Sequence, residues 1–292
     1  MRRVWALVLA GGAGSRFGTG TDVGATRTDA VAARTKVMVP VAGRTMLDWS
    51  VSAAAAACDG VTLVLPAGLL EQAVPSAETA LAQSPVLGEE LRAGQTTSVV
   101  PADTTLADVA LRAEVVLARA DAVVAGGATR SASVRAGLGT VPDDVDVVVC
   151  HDAARPGASA ALFDAVIAAV RSGADAAVPV LPVYDTLKRV PAWRDSGGTV
   201  TATVDRTGLF AVQTPQAFRR EALVAAHAGA PEATDDAALI EAAGGTVLAV
   251  PGEAEAHKVT TQADLVIVEA LLAGRARAVA THQTSPTDGG SG

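Results

Sequence analysis

The sequence predicts an α/β fold with a mostly parallel sheet covered by helices on both faces, and three observations carry that prediction. Short Val- and Leu-rich runs alternate along the chain with Ala-rich stretches of helical length. The runs read as fully buried strands, the pattern of parallel sheets that have helices packed on each side. Hydrophobic side chains make up 50% of the 292 residues but aromatic ones only 3%, so a large core must be built from Ala, Val and Leu.

In chain order, 4–9 (Val-Trp-Ala-Leu-Val-Leu) reads as a first buried strand feeding a glycine-rich loop, and 45–57 as a helix that runs into an alanine tract. Strands follow at 61–65 and 122–125, then a helix at 131–138, a strand at 145–150 and a helix at 160–171. The last elements are strands at 176–180 and 246–250 and a helix at 261–273. Residues 18–34 are polar and glycine-rich, and 81–120 show no clear period. From 274 to 292 the chain has Gly, Ser, Thr and Pro without periodicity and is expected to be a disordered tail behind one domain spanning 1–273. No internal repeat is found.

Composition excludes several classes of function. A net charge of −8 leaves no broad basic surface for a nucleic acid, so an anionic ligand must be held by a local cluster of cations. No apolar run reaches the roughly 20 uninterrupted residues of a membrane span. Cys58 and Cys150 lack metal-ligand spacing and fit a reducing compartment. Met1-Arg2-Arg3 before an apolar run is compatible with a signal peptide, but 4–9 reads better as a strand; a cytoplasmic protein is expected.

Only Lys36, Lys188 and Lys258 are lysines, and all other cationic residues are arginines. A compact ammonium and a planar guanidinium serve different purposes, and phosphate chemistry is one use for these three positions. The first loop, Leu9-Ala10-Gly11-Gly12-Ala13-Gly14-Ser15-Arg16-Phe17-Gly18, follows a buried strand directly. Its small residues let backbone N–H groups approach a phosphate chain, and Arg16 adds charge. No acidic ribose partner follows at dinucleotide spacing and no Gly-Lys-Ser/Thr is present, so the loop suits a triphosphate better than a dinucleotide and is not a P-loop.

That loop resembles the signature of nucleotidyltransferases that attach a nucleoside monophosphate to a small phosphorylated alcohol or sugar. Seven further blocks, in family order, resemble the cytidylyltransferases of the methylerythritol phosphate family: Gly126 to Leu138, His151-Asp152-Ala153-Ala154-Arg155-Pro156, Pro182 to Lys188, Val204-Asp205-Arg206, Gln213 to Phe218, Thr234-Asp235-Asp236-Ala237 and Lys258-Val259-Thr260. The resemblance implies a Rossmann-like fold of the nucleotide-diphospho-sugar transferase type with a protruding β-arm over 182–206. It implies transfer of CMP from CTP to 2-C-methyl-D-erythritol 4-phosphate with release of pyrophosphate; another polyol phosphate, such as ribitol 5-phosphate, or a binding-only homologue are the alternatives.

By resemblance, Arg16 and Lys36 stabilise charge building on the α-phosphate, and Arg206 and Lys258 hold the attacking phosphate. Ala10, Gly11, Gly12 and Gly14 line the triphosphate, and Gly126, Gly127 and Ser133 grip cytosine. Asp152, Ala153, Arg155 and Thr186 contact the substrates. Mg2+ is the implied cofactor, brought by the triphosphate, with Asp152 as its candidate protein ligand. The arm implies a homodimer in which Thr186 and Arg206 complete the neighbour's site. Read on their own, Ser131 or Ser133 are candidate helix caps, His151 is structural rather than a base, and Asp235 and Asp236 look like a metal pair in isolation but are expected instead to cap the helix starting at Ala237. The chain departs from the family pattern in the length of 18–34, at Ala128 and Thr129 where acidic side chains are expected, and at Ala256-His257.

Overall fold

The computed structural model describes residues 3–11, 36–67, 69–70, 116, 119–194 and 196–283, with side chains in the last helix as far as 275. Along the chain run β1 (Arg3–Leu9), β2 (Pro40–Val41), β3 (Arg44–Thr45), α1 (Met46–Ala57), β4 (Gly60–Leu65), β5 (Ala122–Ala125), α2 (Arg130–Leu138) and β6 (Val145–Asp152). Then come α3 (Ala160–Arg171), β7 (Ala176–Pro182), β8 (Leu187–Arg189), β9 (Ala202–Val204), β10 (Phe210–Val212) and β11 (Gln216–Arg219). The last elements are α4 (Arg220–Ala226), α5 (Asp236–Ala242), β12 (Val247–Pro251) and α6 (Gln262–Gln283).

The sheet is the predicted one with two unpredicted strands, β10 beside β7 and β11 inserted between β7 and β6. β6, β1, β4 and β5 are parallel neighbours in that order. β7 does not reach β6: β11 lies between them, antiparallel to both, while β12 runs parallel to β7 and β10 antiparallel. β1 shows why the sheet must be covered twice. Val4, Ala6 and Val8 enter one core cluster with residues of α1 and α3. Trp5, Leu7 and Leu9 enter the other with Val134 of α2, Leu223 of α4 and Ile240 of α5. A one-residue slip of β1 would exchange the two sets, so its register is fixed by packing on both faces.

Two smaller units flank the sheet. β2 and β3 form a hairpin whose two-residue turn, Ala42-Gly43, has positive φ at both positions (47° and 81°), the geometry of a tight hairpin turn. β8 and β9 pair as a separate two-stranded sheet inside 182–206, the segment expected to be an arm.

The expected tail from 274 needs correction. α6 continues to Gln283, ten residues past 273. The stretch Arg-Ala-Arg-Ala-Val-Ala consists largely of strong helix formers, and Gly274 costs only about 1 kcal/mol against Ala in a helix. Val268 and Leu272 anchor the helix on Val41, Met46 and Val259, and Arg275 Nη1 donates to the Gly157 carbonyl at 2.9 Å. The expectations for 18–34, for 81–120 apart from 116, 119 and 120, and for 284–292 lie outside the described residues.

Trp5 gives a direct test of the packing. Its indole is 5% exposed and Nε1 donates to Thr62 Oγ1 at 2.8 Å, while a Cβ at Gly60 would lie 2.1 Å from the ring. Gly60→Ala should therefore destabilise the fold by about 1–3 kcal/mol through overpacking. A lower urea midpoint with unchanged slope is the expected result.

Candidate active site

Because β1, β4, β5 and β6 are parallel, their carboxyl ends open on one edge, where α/β sheets bind ligands. The chain leaves that edge through Ala10-Gly11, Gly126-Gly127 and Asp152. The Ala10 N–H donates to Val64 O at 2.9 Å and the Gly126 N–H to Leu65 O at 2.7 Å, which ties both turns to β4. Ser133 Oγ donates to Thr129 O at 2.9 Å and Gly127 O at 3.4 Å. A Cβ on Gly126 would lie 2.9 Å from that hydroxyl, and one on Gly11 4.0 Å from it. At Gly127 it would lie 2.4 Å from the Ala132 Cβ, so the turn closes on α2 only with glycine. Gly11, Gly126, Gly127 and Ser133 thus share one backbone-lined surface. The cap of α2 is Thr129, whose hydroxyl accepts from Ala132 N at 3.1 Å, and not Ser131 or Ser133.

Beside this surface lies a charge cluster centred on Asp152, whose side chain is only 13% exposed. Lys258 Nζ donates to Oδ2 at 2.7 Å, and Arg130 Nε lies 3.5 Å from Oδ1. Burial works to raise this carboxyl, but Lys258 and then Arg130 outweigh it and hold it at about 2. Lys36, at the start of a 3-10 turn (Lys36–Met38), donates to Val259 O at 2.5 Å, the residue after Lys258. Burial, followed by repulsion from Lys258, lowers the Lys36 ammonium below its ordinary value. Two of the three lysines therefore meet at one place, from positions more than 200 residues apart. Lys188 does not join them: on β8 it donates to Thr203 Oγ1 at 2.6 Å.

The supporting residues are more deeply fixed. The Ala153 N–H donates to Leu9 O at 3.0 Å, which joins the ends of β1 and β6. Arg155 spends Nη1 on Ala256 O at 2.8 Å and Nη2 on Val212 O at 3.3 Å, so it fastens the segment before Lys258 to the end of β6. His151 is fully buried, packed with its ring centroid 5.0 Å from that of Phe163, and burial pushes it down to about 4. Its neutral ring, with Nδ1 3.2 Å from Thr214 Oγ1, is structural, as the sequence suggested.

Two further groups that the sequence analysis did not single out, Thr214 and Arg130, meet Asp152, and Asp236 takes a part other than the one expected. Thr214 Oγ1 accepts the Asp152 N–H at 3.0 Å. Arg130 bridges Asp152 and Asp236, with Nη1 at 2.6 Å from Asp236 Oδ2. Asp236 was expected to cap its helix, but Asp235 alone does so, accepting from Ala238 N at 3.0 Å. All three lie inside the recognised blocks, where position marked them but their side-chain directions were not readable. Thr186 and Arg206 stand exposed in 182–206, and neither is hydrogen-bonded or ion-paired to the cluster. Gly12, Gly14 and Arg16 lie outside the described residues. Among the described residues no group of three His, Cys, Asp or Glu side chains comes together to cage a metal, and no helix is long and apolar enough to cross a membrane.

Comparison with known proteins gives a consistent picture. Residues 81–274 match the family described as IspD: 2-C-methyl-D-erythritol 4-phosphate cytidylyltransferase. A protein of that description from Frankia casuarinae is 49% identical over 205 residues, 68% of this chain and 74% of its own. One from Rhodococcus jostii is 37% identical over 272 residues, 92% of this chain and 95% of its own. The crystal structure of 2-C-methyl-D-erythritol 4-phosphate cytidylyltransferase from Thermus thermophilus superposes with a TM-score of 0.61 at 30% identity, covering 93% of this chain and 99% of that one. The chain belongs to the 2-C-methyl-D-erythritol 4-phosphate cytidylyltransferase family.

Proposed function

We infer that the surface formed by Gly11, Gly126, Gly127 and Ser133 takes the nucleotide, and that the cluster of Lys36, Lys258 and Asp152 takes the reacting phosphates. The chain is a cytidylyltransferase that moves CMP from CTP to 2-C-methyl-D-erythritol 4-phosphate, giving 4-diphosphocytidyl-2-C-methyl-D-erythritol and pyrophosphate. The observation that carries the assignment of the site is the meeting of Lys36 and Lys258 at the carboxyl edge of the sheet.

A phosphate oxygen of the substrate forms a bond to the α-phosphorus of CTP as the bond to the β-phosphate oxygen breaks. The acceptor is already an anion, so no base is required, which agrees with a neutral, buried His151. Lys36 lies where it can stabilise the crowded oxygens, and Lys258 where it can hold the attacking phosphate. The small glycine turn and the Ser133 hydroxyl suit a pyrimidine. Arg16, from the glycine loop, is assigned to the triphosphate with Gly12 and Gly14. Mg2+ bound to the triphosphate would neutralise part of its charge; Asp152 is the carboxylate at hand to it, though both its oxygens already serve cations.

The homodimer is supported by the apolar surface of 182–212. Tyr184 is 80% exposed, Trp193 74% and Phe210 51%, too much large apolar surface in one region to leave facing water. We assign Thr186 and Arg206 to the neighbour's site because each is exposed on this segment and away from its own cluster.

Three outcomes test these assignments. Lys36→Ala should cut kcat by about 100- to 1,000-fold while changing CTP affinity far less, read from steady-state pyrophosphate release; equal losses in both would remove it from the transition state. Mixing Lys36→Ala with Arg206→Ala protein should restore about one quarter of wild-type turnover, because half of a statistical mixture is hybrid and each hybrid holds one intact site. No recovery on mixing would place Arg206 outside the neighbour's site. The third outcome concerns acid stability. Asp152 has an ordinary value of 3.8 and is depressed to about 2 in the fold, so its ionised form stabilises above 3.8 and that contribution, about 2 kcal/mol, disappears as pH falls toward 2. The pH dependence of unfolding between pH 4 and 2 should accordingly be shallower in Asp152→Asn than in wild type, as urea titrations would reveal.

A further inference from the structure

Behind the charge cluster lie two buried polar side chains, Asp236 and His227, joined to it through Arg130. Asp236, at the start of α5, has a side chain with no exposure; Arg130 and His227 take one oxygen each, and the buried Cys150 thiol also hydrogen-bonds to the carboxylate. Oδ2 accepts from Arg130 Nη1 at 2.6 Å, and Oδ1 lies 3.0 Å from His227 Nε2. His227, at the C-cap of α4, is itself 2% exposed. Arg130 then reaches Asp152, which in turn holds Lys258. The chain His227, Asp236, Arg130, Asp152, Lys258 therefore leads from between α4 and α5, on the face of the sheet that also carries α2, to the reacting cluster. A buried carboxylate that only capped a helix would not require a guanidinium on one oxygen and an imidazole on the other, and the cap is already supplied by Asp235.

We propose that Asp236 is a positioning residue for the transfer: by fixing the Arg130 guanidinium it sets the orientation of the Asp152 carboxylate, and through it the place of the Lys258 ammonium. The proposal rests on the assignment of Lys258 to the attacking phosphate. Arg130 has two carboxylates to serve, and the closer, wholly buried one determines where it sits. Without Asp236 the guanidinium would be free to swing toward Asp152, which would then divide its charge differently between Arg130 and Lys258.

The test compares Asp236→Asn with Asp235→Ala, the adjacent substitution that removes the helix cap and leaves the network intact. Asp236→Asn is expected to raise KM for the polyol phosphate about 10- to 100-fold with KM for CTP nearly unchanged. Asp235→Ala should lower thermal stability and leave both constants alone. Because the chain has only three lysines, isotope-labelled lysine gives few NMR signals, and Lys258→Met assigns the one that matters. That signal should move in Asp236→Asn and stay in place in Asp235→Ala. Should Asp236→Asn fail to fold, His227→Phe, which touches only the outer oxygen, is expected to move the signal in the same direction by less. An unmoved Lys258 signal in a folded variant overturns the proposal. If wild-type protein released no pyrophosphate with 2-C-methyl-D-erythritol 4-phosphate and CTP, the assignment of Lys258 would fall with it, while the signal would still decide whether Asp236 controls the network.

Discussion

Everything at the carboxyl edge of the sheet depends on how Asp152 is neutralised. A carboxylate that is largely removed from water costs several kcal/mol unless cations and hydrogen bonds replace its hydration. Here the replacements come from two distant parts of the chain, Arg130 from α2 and Lys258 from the segment before α6, while the Thr214 hydroxyl accepts the backbone N–H of the same residue. Satisfying one strand-end aspartate therefore draws together the start of α2 beside the Gly126-Gly127 turn, Lys258 and the break between β10 and β11. Arg155 completes the tie by holding Ala256 O.

The lysines show the opposite condition. Lys36 and Lys258 are close enough for Lys258 to oppose the charge on Lys36, and burial opposes it further. That is an unfavourable arrangement without a ligand, held in place by the Val259 carbonyl and by Asp152. Anionic phosphates remove the repulsion when they bind, so part of the cost of assembling the site is recovered only with substrate present. Preorganised positive charge of this kind is what a transfer between a triphosphate and a second phosphorylated anion needs.

The parts of this design that were legible in the sequence are those with strong local patterns. The strands at 4–9, 61–65, 122–125 and 145–150 are continuous apolar runs, and the structure places β1, β4, β5 and β6 there within two residues at either end. β11 was not legible, because Gln-Ala-Phe-Arg is too short for a period and starts with a polar residue whose burial depends on the neighbouring strands. α4, of seven residues, escaped for the same reason, whereas the start of α5 was marked by its aspartates. Within the site, residue identity was readable and direction was not. Asp235 and Asp236 are chemically the same, and one turns outward to cap a helix while its neighbour turns inward to Arg130 and His227. Lys188 shows the converse error: its rarity and its motif resembled those of Lys36 and Lys258, yet it lies on β8 and pairs only with the opposite strand.

His257 shows how a departure from the family pattern can be absorbed without loss of the site. The residue lies next to Lys258, and its Nε2 lies 3.1 Å from Asp264 Oδ1. Asp264 Oδ2 meanwhile accepts the N–H groups of Thr260 and Thr261 at 2.8 and 2.7 Å, so one carboxylate both starts α6 and closes the turn that bears Lys258 and the Val259 carbonyl. Those hydrogen bonds outweigh the desolvation of Asp264 and hold it ionised well below the usual carboxylate range. A side chain that could have loosened the turn instead joins its principal anchor. The geometry of Lys258 is thus fixed from two sides, by Asp152 at its ammonium and by Asp264 at its backbone, and neither constraint requires the residue that the family usually carries at 257.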